Sequence, residues 1–222
     1  MRPIPYVVMG AALMFAALPG SAQVVWNPTT DFSTTNGNPN GVWTYGWMDT
    51  GFTTFTVISR HTADGWFGDL GGDGSPGLWI NTAGTAQYGV PPGDLSLHPG
   101  PGNQPNILRW TAPAGFNGTA HVAGQFLAGD SGVMQVAIRL NGSSIWSASN
   151  AGAFDFVQGF VTGDQLDFAV YGGYISGNTP LEMSITSSAI PEPSACATFF
   201  GLAVLGGSAL VRRSRWTRRR KS

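Results

Sequence analysis

Residues 134–149 read MQVAIRLNGSSIWSAS, and this stretch decides the fold class. Apolar side chains alternate with polar or smaller ones from Met134 to Leu140, which is the period-two pattern of a strand with one buried face. The dipeptide Asn141-Gly142 follows, and it is the strongest two-residue signal for a tight hairpin turn. Residues 143–149 then supply the returning strand. The stretch therefore predicts an antiparallel β-hairpin.

Short segments of the same kind recur between residues 23 and 188, separated by turns rich in Gly, Pro, Asn and Asp. The other segments that predict strands are 41–48, 52–59, 78–81, 107–111, 119–126, 166–171 and 181–186. No long segment of this region shows the 3.6-residue apolar period of a helix. The sequence therefore predicts an all-β fold, an antiparallel β-sandwich of the jelly-roll type.

The region that carries these strands is acidic. Residues 23–190 contain three arginines, no lysine and eleven carboxylates, which gives a net charge of −8. Nucleic-acid binding relies on lysine and arginine side chains that neutralise phosphates. The composition therefore argues against a nucleic-acid partner. The single cysteine, Cys196, excludes an intramolecular disulfide.

The first 22 residues are typical of a secretory signal peptide. Arg2 provides a short positive region, and an apolar stretch follows from Ile4 to Leu18. Pro19-Gly20 ends that stretch, and small residues lead to a cleavage site after Ala22. The sequence therefore predicts export of the chain, with residues 23–188 as the exported domain.

Residues 189–222 combine three features in a fixed order. The triplet Pro191-Glu192-Pro193 comes first, and an uncharged segment from Ala195 to Val211 follows. That segment is long enough for one transmembrane helix, near the lower limit. A cationic segment, residues 212–221, comes last. Its positive charges predict a cytoplasmic stop, a segment that remains in the cytoplasm. Its arginines are Arg212, Arg213, Arg215, Arg218, Arg219 and Arg220.

This order resembles the PEP-CTERM sorting signal, although Ile190 stands where the signal usually has Val. The resemblance implies recognition of the triplet by an exosortase and a transient anchor in the inner membrane. It also implies delivery to the cell surface or exopolysaccharide matrix of a Gram-negative bacterium.

Four segments of the exported domain resemble sandwich modules of surface proteins that carry this tail. The segments are NPNGVWTYGW (38–47), ILRWTAPAGFNGTAHVAGQF (107–126), VAIRLNGSSIW (136–146) and VTGDQLDFAVYGG (161–173). At the level of fold they are similar to carbohydrate-binding modules. Such a likeness implies an architecture and does not transfer a ligand.

Trp43, Tyr45 and Trp47 are spaced two residues apart, so a strand would place all three on one face. Two interpretations stay open. The row either fills the core of the sandwich or forms an exposed platform on which sugar rings stack. Trp66 and Trp79, which flank a glycine-rich segment, are further candidates for stacking.

The glycine-rich segment, ADGWFGDLGGDGSPGLW at 63–79, carries Asp64, Asp69 and Asp73 among six glycines. Oxygen-rich loops of this kind can hold Ca²⁺, the only cofactor that the sequence suggests, but the spacing is not that of an EF-hand. A long solvated loop is the alternative interpretation.

The sequence offers no convincing catalytic set. Gly129-Asp130-Ser131-Gly132 resembles the nucleophile loop of trypsin-like proteases, but the residues around His61 do not match that family, and Asp-Ser-Gly is ordinary turn chemistry. We therefore expect a non-enzymatic, exported surface or matrix protein. A carbohydrate-binding module for extracellular polysaccharide is the alternative, and a secreted hydrolase is the third hypothesis.

Overall fold

Thirteen β-strands build residues 23–188, the part of the chain that the computed structural model describes. In chain order the strands are β1 (Val25–Trp26), β2 (Trp43–Met48), β3 (Phe55–Val57), β4 (Gly65–Phe67), β5 (Gly77–Ile80), β6 (Leu95–His98), β7 (Asn106–Thr111), β8 (Asn117–Phe126), β9 (Gln135–Leu140), β10 (Ser143–Ser149), β11 (Gly152–Val161), β12 (Gln165–Tyr171) and β13 (Thr179–Ser187). No helix within residues 23–188 has the length and apolar character that crossing a membrane requires. The predicted signal peptide, sorting triplet, transmembrane segment and cationic end all lie outside the described residues.

The strands form two antiparallel sheets. The seven-stranded sheet has the order β11-β8-β13-β6-β5-β4, and β1 pairs with the end of β13. The six-stranded sheet has the order β10-β9-β12-β7-β2-β3. The predicted all-β antiparallel architecture is confirmed.

From β6 to β13 the chain passes from one sheet to the other at every connection except the β9–β10 hairpin. The resulting orders, β6-β13-β8-β11 and β7-β12-β9-β10, are those of an eight-stranded jelly roll. Strands β4 and β5 extend the seven-stranded sheet beyond β6, and β2 and β3 extend the other sheet beyond β7. The extension made by β4 and β5 is the part of the fold that carries the site described below.

The hairpin that the sequence predicted most strongly is present. Asn141 and Gly142 both have positive φ angles, 49° and 83°, as a type I′ turn requires. Leu140 pairs with Ser143 across the turn, and the register shifts by one residue between Ser144 and Trp146.

Two predictions about elements were wrong, and one long strand was missed. The segment 63–79 is not one long loop, because its ends are strands β4 and β5. The predicted strand 52–59 shrinks to Phe55–Val57, since Phe52 has a φ of 57°, which no strand residue adopts. Strand β11 was not predicted, although Phe154 and Phe160 point into the core while Asp155 and Val157 are exposed.

Aromatic side chains fill the space between the two sheets. Among the ring pairs that join residues of opposite sheets are Tyr45 with Trp66 at 6.0 Å, Trp110 with Phe160 at 5.0 Å, and Phe154 with Phe168 at 5.9 Å between centroids. Full burial of a large apolar side chain stabilises a fold by about 1.5–3 kcal/mol. This core therefore fixes the two sheets against each other without a disulfide.

Part of the outer face of the six-stranded sheet, on β2, β3, β7 and β12, is covered by side chains of the protein itself. Arg109 makes a two-pronged ion pair with the buried Asp167, with N–O distances of 2.6 and 2.9 Å. The Phe55 ring lies 3.8 Å from the guanidinium carbon of Arg109. Phe52 and Tyr171 pack beside them. These side chains cover this part of the face, whereas Gln135, Ser147 and Ser149 on β9 and β10 are exposed.

Candidate functional site: a cleft lined by aromatic and acidic side chains

The aromatic row on β2 is not a sugar platform. Trp43 and Tyr45 are 1% and 0% exposed, and Trp47 is half-buried against the same core. This face of β2 points toward the opposite sheet, so a ligand cannot reach the first two rings. Of the two interpretations of the row, the core is the one that the structure supports. Trp66, 3% exposed, is also a core residue.

A cleft of about 770 Å³ opens beside strands β4 and β5. Its floor is the outer face of these strands, which carries the aromatic rings of Phe67 and Trp79. Its walls come from three loops that are distant in sequence, and they contribute Tyr88, Asp130 and Asn178. The fold thus gathers residues from four regions of the chain around one depression.

The pairing of the strands explains why Trp79 faces the cleft. Leu78 is fully buried between the sheets, so its neighbour Trp79 must point to the opposite face. Trp79 pairs with Gly65 on one side and with Ser96 on the other. Small residues on both sides leave the indole ring standing above the sheet.

Two glycines also make room for the Phe67 ring. A Cβ atom on Gly65 would lie 2.5 Å from this ring, and one on Gly77 would lie 2.7 Å from it. These distances are shorter than any van der Waals contact. Gly65 and Gly77 therefore leave the space that the Phe67 ring occupies on the floor of the cleft.

The Trp79 ring is held in place from the side. Its Nε1–H donates a hydrogen bond of 2.8 Å to Oδ1 of Asn178, 99 residues away in the sequence. The Tyr88 ring approaches the indole edge-on, at 6.3 Å between centroids and an interplanar angle of 81°. The two rings form a right-angled pair at the mouth of the cleft.

Tyr88 combines an exposed side chain with a strained backbone conformation. Its side chain is 69% exposed, and its φ is 49°. With Gly89, φ 75°, it forms the two-residue turn between Gln87 and Val90, which exchange backbone hydrogen bonds of 3.0 and 2.8 Å. Bulky side chains rarely adopt this conformation, and strain of this kind concentrates at functional sites.

The wall of the cleft depends on close contact between backbones. A Cβ atom on Gly89 would lie 2.0 Å from the carbonyl oxygen of Gly129, and one on Gly129 would lie 2.2 Å from that of Asn178. The Asp130 N–H donates to the Asn178 carbonyl at 3.1 Å. These contacts join the three wall loops into one unit.

The cleft is acidic. Asp64, Asp73 and Asp130 line it, and neither lysine nor arginine does so among residues 23–188. Burial raises the pKa of the Asp73 carboxyl, but hydrogen bonds from Tyr174 and Ser75 outweigh this effect and hold the pKa below its usual value. Asp73 is therefore charged at neutral pH.

The three aspartates that the sequence named as a calcium candidate do not converge. Asp64 accepts a hydrogen bond from Thr62 Oγ1 at 2.5 Å, and Asp69 pairs with Arg60 outside the cleft. Within residues 23–188 no group of three His, Cys, Asp or Glu side chains is placed to hold a metal ion. Asp64, Asp69 and Asp73 therefore do not form one calcium site together.

Sequence reasoning named Trp79 but missed its partners. Tyr88, Gln87 and Asn178 lie in loops, and nothing local marks them as neighbours of Trp79. The structure supplies the signal that the sequence lacks: Tyr88 precedes a glycine in a two-residue turn, at a position where Asn, Asp or Gly is usual.

No protein-family model and no curated protein sequence matches this chain. Among solved structures, the chain is similar to the CBM35 module of Abf62 from Cellvibrio japonicus, with 10% identity, coverage of 76% of this chain and 95% of the module, and a TM-score of 0.32. The CBM36-1 domain of a multidomain xylanase from a Trinervitermes trinervoides hindgut metagenome gives 9% identity, coverage of 67% and 98%, and a TM-score of 0.30. The isomalto-dextranase of Arthrobacter globiformis T6, complexed with panose, gives 10% identity, coverage of 75% of this chain and 32% of the enzyme, and a TM-score of 0.34. No inference about a ligand is drawn from similarities this distant.

Proposed function

We propose that the protein is a non-enzymatic, exported protein that binds a polysaccharide in the cleft. The observation that carries this proposal is the Trp79 ring, fixed by Asn178 and paired with the exposed, strained Tyr88. A sugar ring offers C–H groups on its faces and hydroxyls around its edge. Aromatic rings suit the faces, and the amides and carboxylates of the cleft suit the hydroxyls.

Replacing Trp79 by alanine tests the proposal. We expect the variant to bind polysaccharide about tenfold more weakly or worse, since aromatic anchors carry most of the binding energy at such sites. The measurement is affinity electrophoresis of the full-length protein in non-ionic detergent, in gels containing the polysaccharide of the producing organism.

Trp47→Ala is the matched control. Trp47 is also half-buried, but it lies on the other sheet, away from the cleft. This variant loses stability and should keep its affinity. Equal retention of wild type and Trp79→Ala, or no retention of the wild type, would contradict the proposal.

A catalytic role has no comparable support. Ser131 contributes its N–H to Asp130 Oδ1, while the His61 ring packs on Trp66 and contacts the Thr62 carbonyl at 3.1 Å. Within residues 23–188 no hydrogen bond joins the Ser131 hydroxyl to the His61 ring, so the nucleophile and base that the sequence offered are not paired.

Export and sorting form the second part of the proposal. The signal peptide ending at Ala22 and the Pro191-Glu192-Pro193 tail support it through the resemblance to exosortase substrates. The proposed location is the cell surface or polysaccharide matrix, after a transient stay in the inner membrane.

Replacing Pro191-Glu192-Pro193 by three alanines should keep the full-length chain in the inner membrane, because the extended recognition strip is lost. Immunoblots of membrane and extracellular fractions measure this. A control with Ser214 and Thr217 replaced by alanine keeps the triplet and every positive charge and should be processed normally. Normal processing of the triple-alanine variant would refute the sorting mechanism.

A further inference from the structure

The positive charges of the described residues are all engaged away from the cleft. Arg60 pairs with Asp69, and Arg109 pairs with Asp167 on the six-stranded sheet. Arg139 lies over the Phe52 ring and donates to the Gly142 carbonyl. Residues 23–188 contain no lysine. Within this part of the chain, therefore, no lysine or arginine faces the cleft to meet an anionic ligand, and His98 is the basic residue that lines it.

Two of the cleft carboxylates keep an oxygen for a ligand. Oδ1 of Asp64 accepts from Thr62, and Oδ1 of Asp130 accepts from the Ser131 N–H at 2.7 Å. Their Oδ2 atoms accept no hydrogen bond from residues 23–188. Both oxygens of Asp73 are occupied, by Ser75 and by Tyr174. Asp64 and Asp130 are thus the carboxylates that can accept hydrogen bonds from a bound molecule.

An ionised carboxylate accepts hydrogen bonds and donates none. A sugar hydroxyl can donate to it, whereas a uronate carboxylate or a sulfate cannot, and it is repelled at the same time. The Trp79 and Tyr88 rings do not offset this repulsion, since the face of an aromatic ring is itself negative.

We infer that the cleft selects uncharged polysaccharide and rejects polyanionic polysaccharide, with Asp64 and Asp130 accepting hydrogen bonds from the ligand and, together with Asp73, repelling anionic groups. This inference rests on the proposed function and goes beyond it, because it names the chemical class of the ligand. A hydroxyl-rich chain without carboxylates or sulfates fits both the rings and the carboxylates of the cleft.

Matched pairs of polymers test the inference. Dextran and carboxymethyl-dextran share one backbone and differ in charge, as do hydroxyethylcellulose and carboxymethylcellulose. The measurement uses full-length protein in non-ionic detergent, with EDTA to exclude bridging by divalent cations. At low salt we expect the protein to bind the uncharged polymer of a pair about tenfold more tightly than its carboxymethylated counterpart. The difference should shrink as salt rises, because screening weakens repulsion between exposed charges.

The variant Asp64→Asn with Asp130→Asn removes both charges and keeps both side-chain shapes. Its affinity for the carboxymethylated polymer should rise about fivefold or more, on the scale of exposed charge interactions. The control, Asp155→Asn with Glu182→Gln, makes the same change in net charge at exposed positions outside the cleft. It should leave the preference unchanged.

The outcomes separate this inference from the proposed function. Equal or tighter binding of the carboxymethylated polymers, still lost in Trp79→Ala, would overturn the charge selection and leave polysaccharide binding intact. An equal gain in the control variant would assign the effect to net charge and remove the role of Asp64 and Asp130. No binding of any polymer, or binding independent of Trp79, would overturn both.

Discussion

Two turns of this protein share one conformation and differ in one residue. The β9–β10 turn has Asn141 and the turn beside the cleft has Tyr88 at the same position, each with a φ of 49° and followed by glycine. Asparagine is suited to this conformation, and tyrosine is not. The exposed tyrosine therefore sits where stability alone would select another residue.

Tyr88→Asn is expected to raise the free energy of unfolding by about 0.5 kcal/mol, because it relieves strain at a turn position that favours asparagine. The same change should weaken polysaccharide binding at least several-fold, since it removes one ring of the right-angled pair. Urea unfolding and affinity electrophoresis measure the two effects.

A gain in stability with a loss of binding is the signature of a residue retained for function. A loss of more than about 1 kcal/mol would show instead that the contact of Tyr88 with Trp79 supports the fold. Unchanged binding would show that the ring does not touch the ligand.

Single residues also show what the sequence could not decide. Trp43, Tyr45 and Trp79 all lie on strands, and alternation places Trp43 and Tyr45 on one face without saying whether that face is buried. Burial depends on which sheet covers the strand, and that follows from the order in which distant strands pair. Trp79 became a candidate only through its place beside the glycine-rich segment.

At the scale of elements, the site depends on three loops that pack backbone against backbone. Gly129 lies in the middle of this wall, between Gly89 and the carbonyl of Asn178. Asn178 also holds the Trp79 indole. A shift of the wall therefore moves the aromatic ring that we propose to bind the ligand.

Gly129→Ala is expected to weaken polysaccharide binding although residue 129 does not line the cleft. The added methyl group would sit 2.2 Å from a backbone oxygen, so the Asn178 loop must move. We expect a loss of stability of about 1–3 kcal/mol, as for overpacking elsewhere, together with the weaker binding.

Gly159→Ala is the control for this substitution. Gly159 lies on β11, has no atom within 4 Å of an added Cβ, and does not have a positive φ. Stability and binding should both stay close to wild type. Equal effects of the two substitutions, or wild-type binding by Gly129→Ala, would show that the wall does not position the site.

Elements with a strong local signal were predictable, and those fixed by partners were not. The β9–β10 hairpin follows from residues 134–149 alone. Strands β4 and β6 have three and four residues and depend on distant partners, β4 on β5 and β6 on both β5 and β13. In β11 the glycines at 152 and 159 obscured the alternation of phenylalanines.

At the scale of the whole molecule, the two outer faces of the sandwich differ. Aromatic rings and a buried ion pair cover the β2, β3, β7 and β12 part of the outer face of the six-stranded sheet, whereas the seven-stranded sheet carries the open cleft on its β4–β5 extension. Export and polysaccharide binding are consistent with each other, since a secreted glycan is met outside the inner membrane. The net charge of −8 in residues 23–190 also opposes non-specific adhesion to polyanions.

The most direct test follows the indole N–H of Trp79 by NMR while neutral gluco-oligosaccharides are added to ¹⁵N-labelled protein. A Trp79→Phe variant assigns the signal. We predict that the Trp79 signal shifts in a saturable manner, while the signals of the buried Trp43 and Trp110 stay in place. A Trp79 signal that does not move at ligand concentrations where the protein binds would contradict polysaccharide binding in this cleft.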